Sequence, residues 1–122
     1  MRLAALIGSA ASVCALGAGA AGGAPSSAPA RVQVVEKEFS ITLSRLRVRS
    51  GPVIVEVDDF GMDAHDLVVQ GGHPTKTWRF PQLAPETHAT KSLTLAPGKY
   101  TLYCSLPGHR ALGMVATLTV VR

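Results

Sequence analysis

Residues 100–114 read Tyr100-Thr101-Leu102-Tyr103-Cys104-Ser105-Leu106-Pro107-Gly108-His109-Arg110-Ala111-Leu112-Gly113-Met114. In an extended chain, side chains alternate between two faces, so Tyr100, Leu102 and Cys104 share one face of a strand. Pro107-Gly108 then turns the backbone sharply, and Gly113 relieves crowding just before Met114. Met114, Ala116, Leu118 and Val120 fall on one face of a second strand. The segment is therefore strand, loop, strand. Its loop carries a thiol, an imidazole and a thioether, with four residues between Cys104 and His109 and four between His109 and Met114.

The same period-two pattern continues upstream. Val32, Val34 and Val35 begin it, and Ile41, Leu43, Leu46 and Val48 follow. Pro52-Val53-Ile54-Val55-Glu56-Val57 alternates as a half-buried strand does, and Leu67-Val68-Val69, Thr75–Phe80 and Ser92–Leu95 are further strand segments. Ser50-Gly51-Pro52, Gly71-Gly72-His73-Pro74 and Ala96-Pro97-Gly98 mark the breaks. No stretch carries a 3.6-residue stripe and no repeat is present. The expectation is an all-β domain of seven to eight short strands, built as an antiparallel sandwich or barrel.

His65, Leu67 and Val69 also share a strand face. If the apolar faces point inward, His65, Cys104 and Met114 start from the inner side of the sandwich near its rim, with His109 on the loop beside them. One thiolate, two imidazoles and a weak axial thioether form a donor set that favours copper in electron transfer. Soft sulfur suits copper(I), and imidazole is accepted by copper(II).

Over residues 31–122 the chain resembles the cupredoxins, the small blue-copper proteins of the plastocyanin/azurin type. The resemblance is carried by Pro97-Gly98-Lys99-Tyr100-Thr101-Leu102-Tyr103-Cys104-Ser105-Leu106-Pro107-Gly108-His109 and by Gly113-Met114. The loop spacing is more similar to the auracyanin, rusticyanin and sulfocyanin members than to plastocyanin. The resemblance implies a Greek-key β-sandwich, one type 1 copper ion held by His65, Cys104, His109 and Met114, and one-electron exchange with redox protein partners. Two positions depart from the family pattern: Asp66 stands where Asn is common, and Ala116 where Gly is common. Neither is a ligand. Asp66 is expected to accept hydrogen bonds from Ser105 and so tie the His65 segment to the ligand loop.

The first thirty residues differ from the rest. Arg2 is followed by an apolar, then Ala/Gly/Ser-rich stretch, with no charge before Arg31. This predicts a secretory signal peptide over 1–20, cleaved after Ala20, and a flexible leader over 21–30 that carries Pro25 and Pro29. The stretch is also long enough to stay as a membrane anchor, although its glycines and lack of large apolar residues past Leu16 argue against that. Lipoprotein processing at Cys14 is disfavoured by the neighbouring Val13. The expected location is periplasmic or extracellular; association with a membrane would require the N-terminal segment to stay uncleaved.

From Ala21 onward, eleven Lys/Arg face eight Asp/Glu, a net charge of +3. The basic residues are scattered without interleaved aromatics, which excludes a nucleic-acid reading. With Cys14 in the signal, Cys104 is the one thiol of the exported domain, and metal ligation explains an unpaired cysteine there. His73 and His88 are expected at solvated turns, Trp78 in sheet packing, Met62 packed or exposed near His65, and Asp58 and Asp59 in a solvated loop. A nucleophile–base pair of Cys104 and His109 lacks a third, orienting group, and no small-molecule substrate is expected. The alternative function is periplasmic copper carriage or storage with the same ligands, although Met- and His-rich tracts are missing. An apolar loop around His109, formed by Leu106, Pro107, Ala111 and Leu112, is the expected docking face for partners.

Overall fold

The computed structural model describes residues 17, 19, 21–23 and 27–122. Most of the expected signal segment 1–20, Cys14 included, and residues 24–26 of the expected leader lie outside them. Among the described residues no helix is long and apolar enough to cross a membrane.

The alternating segments become nine strands: β1 (Ala30–Lys37), β2 (Ser40–Leu43), β3 (Arg47–Arg49), β4 (Gly51–Asp59), β5 (Val68–Gly71), β6 (Lys76–Arg79), β7 (His88–Leu95), β8 (Gly98–Tyr103) and β9 (Val115–Val121). They form two sheets, one ordered β2-β1-β4-β7 and the other β3-β9-β8-β5-β6. The Ile41–Val48 stretch, read as one segment in the sequence, is two strands in different sheets. Ser44 closes β2 against Gln33, through Ser44 N–H to Gln33 O and Gln33 N–H to Ser44 Oγ, each 2.9 Å. Leu46 is 67% exposed as the chain crosses over, and Val48 then enters the core from the second sheet.

The sheets are mixed, not purely antiparallel. β1 runs parallel to β4 and β3 runs parallel to β9, while the other neighbours are antiparallel. Residue patterning reports which face a strand buries but not which way its neighbour runs, so this lay beyond the sequence. The core forms where the inner faces meet: Val32, Val34, Val53, Val55, Val57, Leu93 and Leu95 from the first sheet, against Val48, Leu67, Val69, Tyr100, Leu102, Leu118 and Val120. Each fully buried aliphatic side chain contributes roughly 1.5–3 kcal/mol. Tyr100 satisfies its buried hydroxyl by donating to Ala96 O at 2.8 Å. Trp78 is half-buried and packs on this core, as expected, and His73 and His88 are exposed.

β1 and β4 run toward the end of the sandwich where β8 stops and β9 starts. That end carries the one helix among the described residues, the single turn α1 (His109–Leu112), which the sequence pattern did not disclose because one turn is too short to show a stripe.

Candidate metal centre

Cys104 follows the last residue of β8 and Met114 precedes the first of β9, so the pairing of these strands sets the two side by side. Cys104 N–H donates to Met114 O at 3.2 Å, and Met114 N–H donates to His109 O at 3.1 Å. Gly108, with φ 78°, and Gly113, with φ 127°, bracket α1 in conformations that L-residues rarely adopt. A Cβ on Gly113 would also come within 2.8 Å of Phe39 O. His65 is pinned by a two-way bridge to Leu83, with His65 N–H to Leu83 O at 3.1 Å and Leu83 N–H to His65 O at 2.7 Å.

These constraints bring the ligating atoms of His65, Cys104 and His109 within 4.8 Å of one another. The two Nδ1 atoms are 3.2 Å apart, and Cys104 Sγ lies 3.6 Å from His109 Nδ1. Donors that share one ion through bonds of about 2.0–2.3 Å have such spacings. His65, Cys104 and Met114 are completely buried, and His109 is half-buried. All four sequence-predicted site residues thus gather at one end of the sandwich. Burial pushes the Cys104 thiol above its ordinary value, and the Asp66 and Glu36 carboxylates add to that, while N–H groups of Asp66 and Leu106 oppose it. A buried thiol facing two imidazoles, with a buried Met beside it, is chemically suited to a soft, thiolate-binding cation.

The surroundings hold the donors in place. Asp66 accepts from Ser105 N–H at 2.6 Å and from Ser105 Oγ at 2.5 Å, and its own N–H points at Cys104 Sγ at 3.5 Å. The expected tie between the His65 segment and the ligand loop is therefore present. Sequence reasoning missed Glu38. Its Oε1 accepts from Asp63 N–H at 2.7 Å and Met62 N–H at 2.9 Å, and lies 2.9 Å from His65 Nε2. The Asp63 and Met62 N–H groups, aided by His65, hold the Glu38 carboxyl well down, to about 2. A carboxylate on Nε2 fixes the tautomer that leaves the Nδ1 lone pair toward the other donors. Gly61 is required beside it, because a Cβ there would fall 2.2 Å from Glu38 Oε1 and 2.9 Å from His65 Nε2.

Asp59 departs from expectation. It is the last residue of β4 and fully buried, not part of a solvated loop; its Oδ1 accepts from Gly61 N–H at 2.8 Å. It sits in register with Glu36 of β1, also fully buried, and neither Glu36 oxygen has a hydrogen-bond partner among the described residues. In the sequence, Glu36-Lys37-Glu38 and Asp58-Asp59 resemble ordinary polar strand ends, and nothing in their local pattern marks them as buried.

At the surface, the His109 ring meets Phe39 edge-on, with centroids 5.2 Å apart and planes at 76°. Leu112, in the same turn, is 62% exposed, and Met62, whose N–H meets Glu38, is 90% exposed. Arg110 leaves this face to stack on Tyr103, 4.2 Å from the ring centroid.

Residues 31–121 match the copper binding proteins of the plastocyanin/azurin family. No curated protein sequence matches the chain. Among solved structures, auracyanin of Roseiflexus castenholzii is 19% identical, with TM-score 0.61, over 78% of this chain and 99% of that one. Auracyanin A of Chloroflexus aurantiacus, a blue copper protein, is 16% identical, with TM-score 0.62, over 77% and 100%. Reduced rusticyanin is 18% identical, with TM-score 0.59, over 77% and 81%. At these identities the likeness establishes the fold.

Proposed function

Because the chain belongs to the copper-binding plastocyanin/azurin family, with copper as its cofactor, we propose that it is an exported one-electron carrier whose single type 1 copper is held by His65, Cys104, His109 and Met114. The observation that carries this reading is the convergence of one buried thiol and two imidazole Nδ1 atoms within 4.8 Å. Copper bound there supplies a one-electron couple. The residues supply rigidity: Glu38 and the Leu83 bridge hold His65, Asp66 holds the Cys104 loop through Ser105, and β8–β9 pairing holds Met114. Donors locked in this way move little between oxidation states, which keeps the reorganisation cost of electron exchange low.

The half-buried His109 is the natural exit for the electron. Its apolar surroundings fit brief docking with a redox protein, where small contact areas allow fast release. The His65 and His109 Nδ1 atoms, 3.2 Å apart, and the Cys104 thiol face one another as donors to one ion, which supports reading the protein as a carrier and not an enzyme. The export reading rests on the N-terminal sequence, in which Arg2 precedes an apolar stretch with no charge before Arg31, and fractionation of the mature chain tests it.

The deciding experiment is the visible spectrum of the purified protein with copper(II), before and after reductant. An intense thiolate-to-copper band that bleaches and returns without loss of metal, and that Cys104→Ser abolishes, is the expected result. A band surviving Cys104→Ser refutes the ligand assignment. Loss of the metal on each reduction favours copper carriage or storage instead.

A further inference from the structure

At the end of the sandwich opposite the metal centre lies a cleft of about 640 Å³ lined by Arg31, Arg45, Arg47, Arg49 and Arg122. The two ends are joined by whole strands. β1 leaves the cleft at Ala30 and ends at Lys37, β4 leaves it at Gly51 and ends at Asp59, and β9 starts beside Met114 and reaches the cleft at Val121. Seven to nine residues at about 3.3 Å each put roughly 20–25 Å between cleft and metal centre.

Charge is divided between the two ends. Seven of the eight carboxylates, all but Glu56, belong to the half that holds His65. Glu56 lines an adjoining hollow with Arg31 and Arg45, yet among the described residues no guanidinium has a carboxylate within 4.0 Å; the ion pairs there involve His65. Five exposed guanidiniums around one concavity, with no Asp or Glu among its lining residues, repel each other and attract anions. The planar fork of Arg matches phosphate oxygens in pairs.

We propose that this arginine cleft docks the protein on a membrane surface by binding the phosphate headgroups of anionic phospholipids, turning the His109 face away from the bilayer. Two observations favour a membrane over an acidic protein. Ser27, Ala28, Pro29 and Ala30 line the same cleft, so the chain leaves the domain at this end, and the sequence leading to it carries no charge from Ala21 to Ala30. A redox partner seated here would also lie roughly 20–25 Å from the donors, a poor place for exchange. The opposed charges of the two ends would align the domain on an anionic surface before contact. Arginines on β3, an edge strand of its sheet, also discourage edge-to-edge pairing; that role alone would not depend on lipid.

The test is flotation of the copper-loaded full chain with vesicles of phosphatidylcholine alone, or with about one third phosphatidylglycerol, at about 0.1 M salt. Partition onto the anionic vesicles should exceed that onto neutral ones. Each arginine near the surface is worth about fivefold, so Arg47→Gln/Arg49→Gln should reduce the anionic partition roughly 25-fold. Its partition onto neutral vesicles and its copper(II) spectrum should not change, which also reports that it is folded. Lys37→Gln/Arg79→Gln, equal in charge but in the other half, should partition as the parent does. Equal partition onto both vesicle types overturns the proposal, as does an equal effect of the two variants. Binding to polyglutamate without binding to anionic vesicles overturns it in favour of an acidic protein. Displacement from vesicles by millimolar inorganic phosphate at constant ionic strength overturns it in favour of a soluble anion.

Discussion

Glu36→Gln should make the metal-free protein more stable at alkaline pH and leave it nearly unchanged at acid pH. Glu36 is fully buried, with neither oxygen hydrogen-bonded among the described residues. Its carboxyl is pushed from 4.5 up to about 8, first by burial and then by the negative charges of Asp59 and Asp66. The folded state therefore holds a proton that the unfolded chain has released. Below pH 4.5 both states are protonated and the ionisation of Glu36 takes nothing from stability; between 4.5 and 8 the unfolded chain ionises alone and stability falls with pH; above 8 both are ionised and the loss levels off. At about 1.4 kcal/mol per unit, the full loss is a few kcal/mol and at most about 5. That is a large part of the roughly 5–15 kcal/mol that stabilises an ordinary domain. Glutamine keeps the shape and cannot ionise. Urea denaturation of parent and variant without metal, from about pH 4 to 9, should give midpoints that coincide at the acid end and diverge steadily, the variant being the more stable. Parallel curves across that range would refute the buried, neutral Glu36.

Gly61→Ala should drive Glu38 off His65, because the new Cβ meets Glu38 Oε1 at 2.2 Å; thermal denaturation should show a loss of about 1–3 kcal/mol, and copper affinity should fall with it. Asp66→Ala removes two hydrogen bonds to Ser105 and should cost about 2–3 kcal/mol in denaturant titration, while Asp66→Asn should keep the blue band and raise the reduction potential. Met114→Leu should retain copper and raise the potential by at least about 59 mV, a tenfold shift in a one-electron couple; a lowered potential in voltammetry would exclude the weak axial role. Leu112→Lys should slow electron exchange with a partner and leave the spectrum intact, and unchanged exchange would place docking elsewhere.

What the sequence alone determined was what is local or periodic. Alternation at Val53-Val55-Val57 and Tyr100-Leu102-Cys104 specified strands and their buried faces, because side chains on a strand have a period of two whatever the strand pairs with. The Cys104–Met114 loop declared its chemistry, because donor type and softness belong to the residues themselves. His65 could be assigned by parity, and Asp66 by its position after a ligand. The tertiary structure decided what depends on partners distant in the chain. Parallel pairing of β1 with β4 sets Glu36 beside Asp59 and buries both, although each looks like a solvated strand end in its own neighbourhood. Glu38 reaches His65 across 27 residues because the Met62 and Asp63 amides fold over it. Five of the seven arginines in residues 31–122 converge on one cleft because β1, β3 and β9 begin or end at the same pole. Burial and electrostatic fields are sums over neighbours in space, and strand pairing, not proximity in sequence, chooses those neighbours.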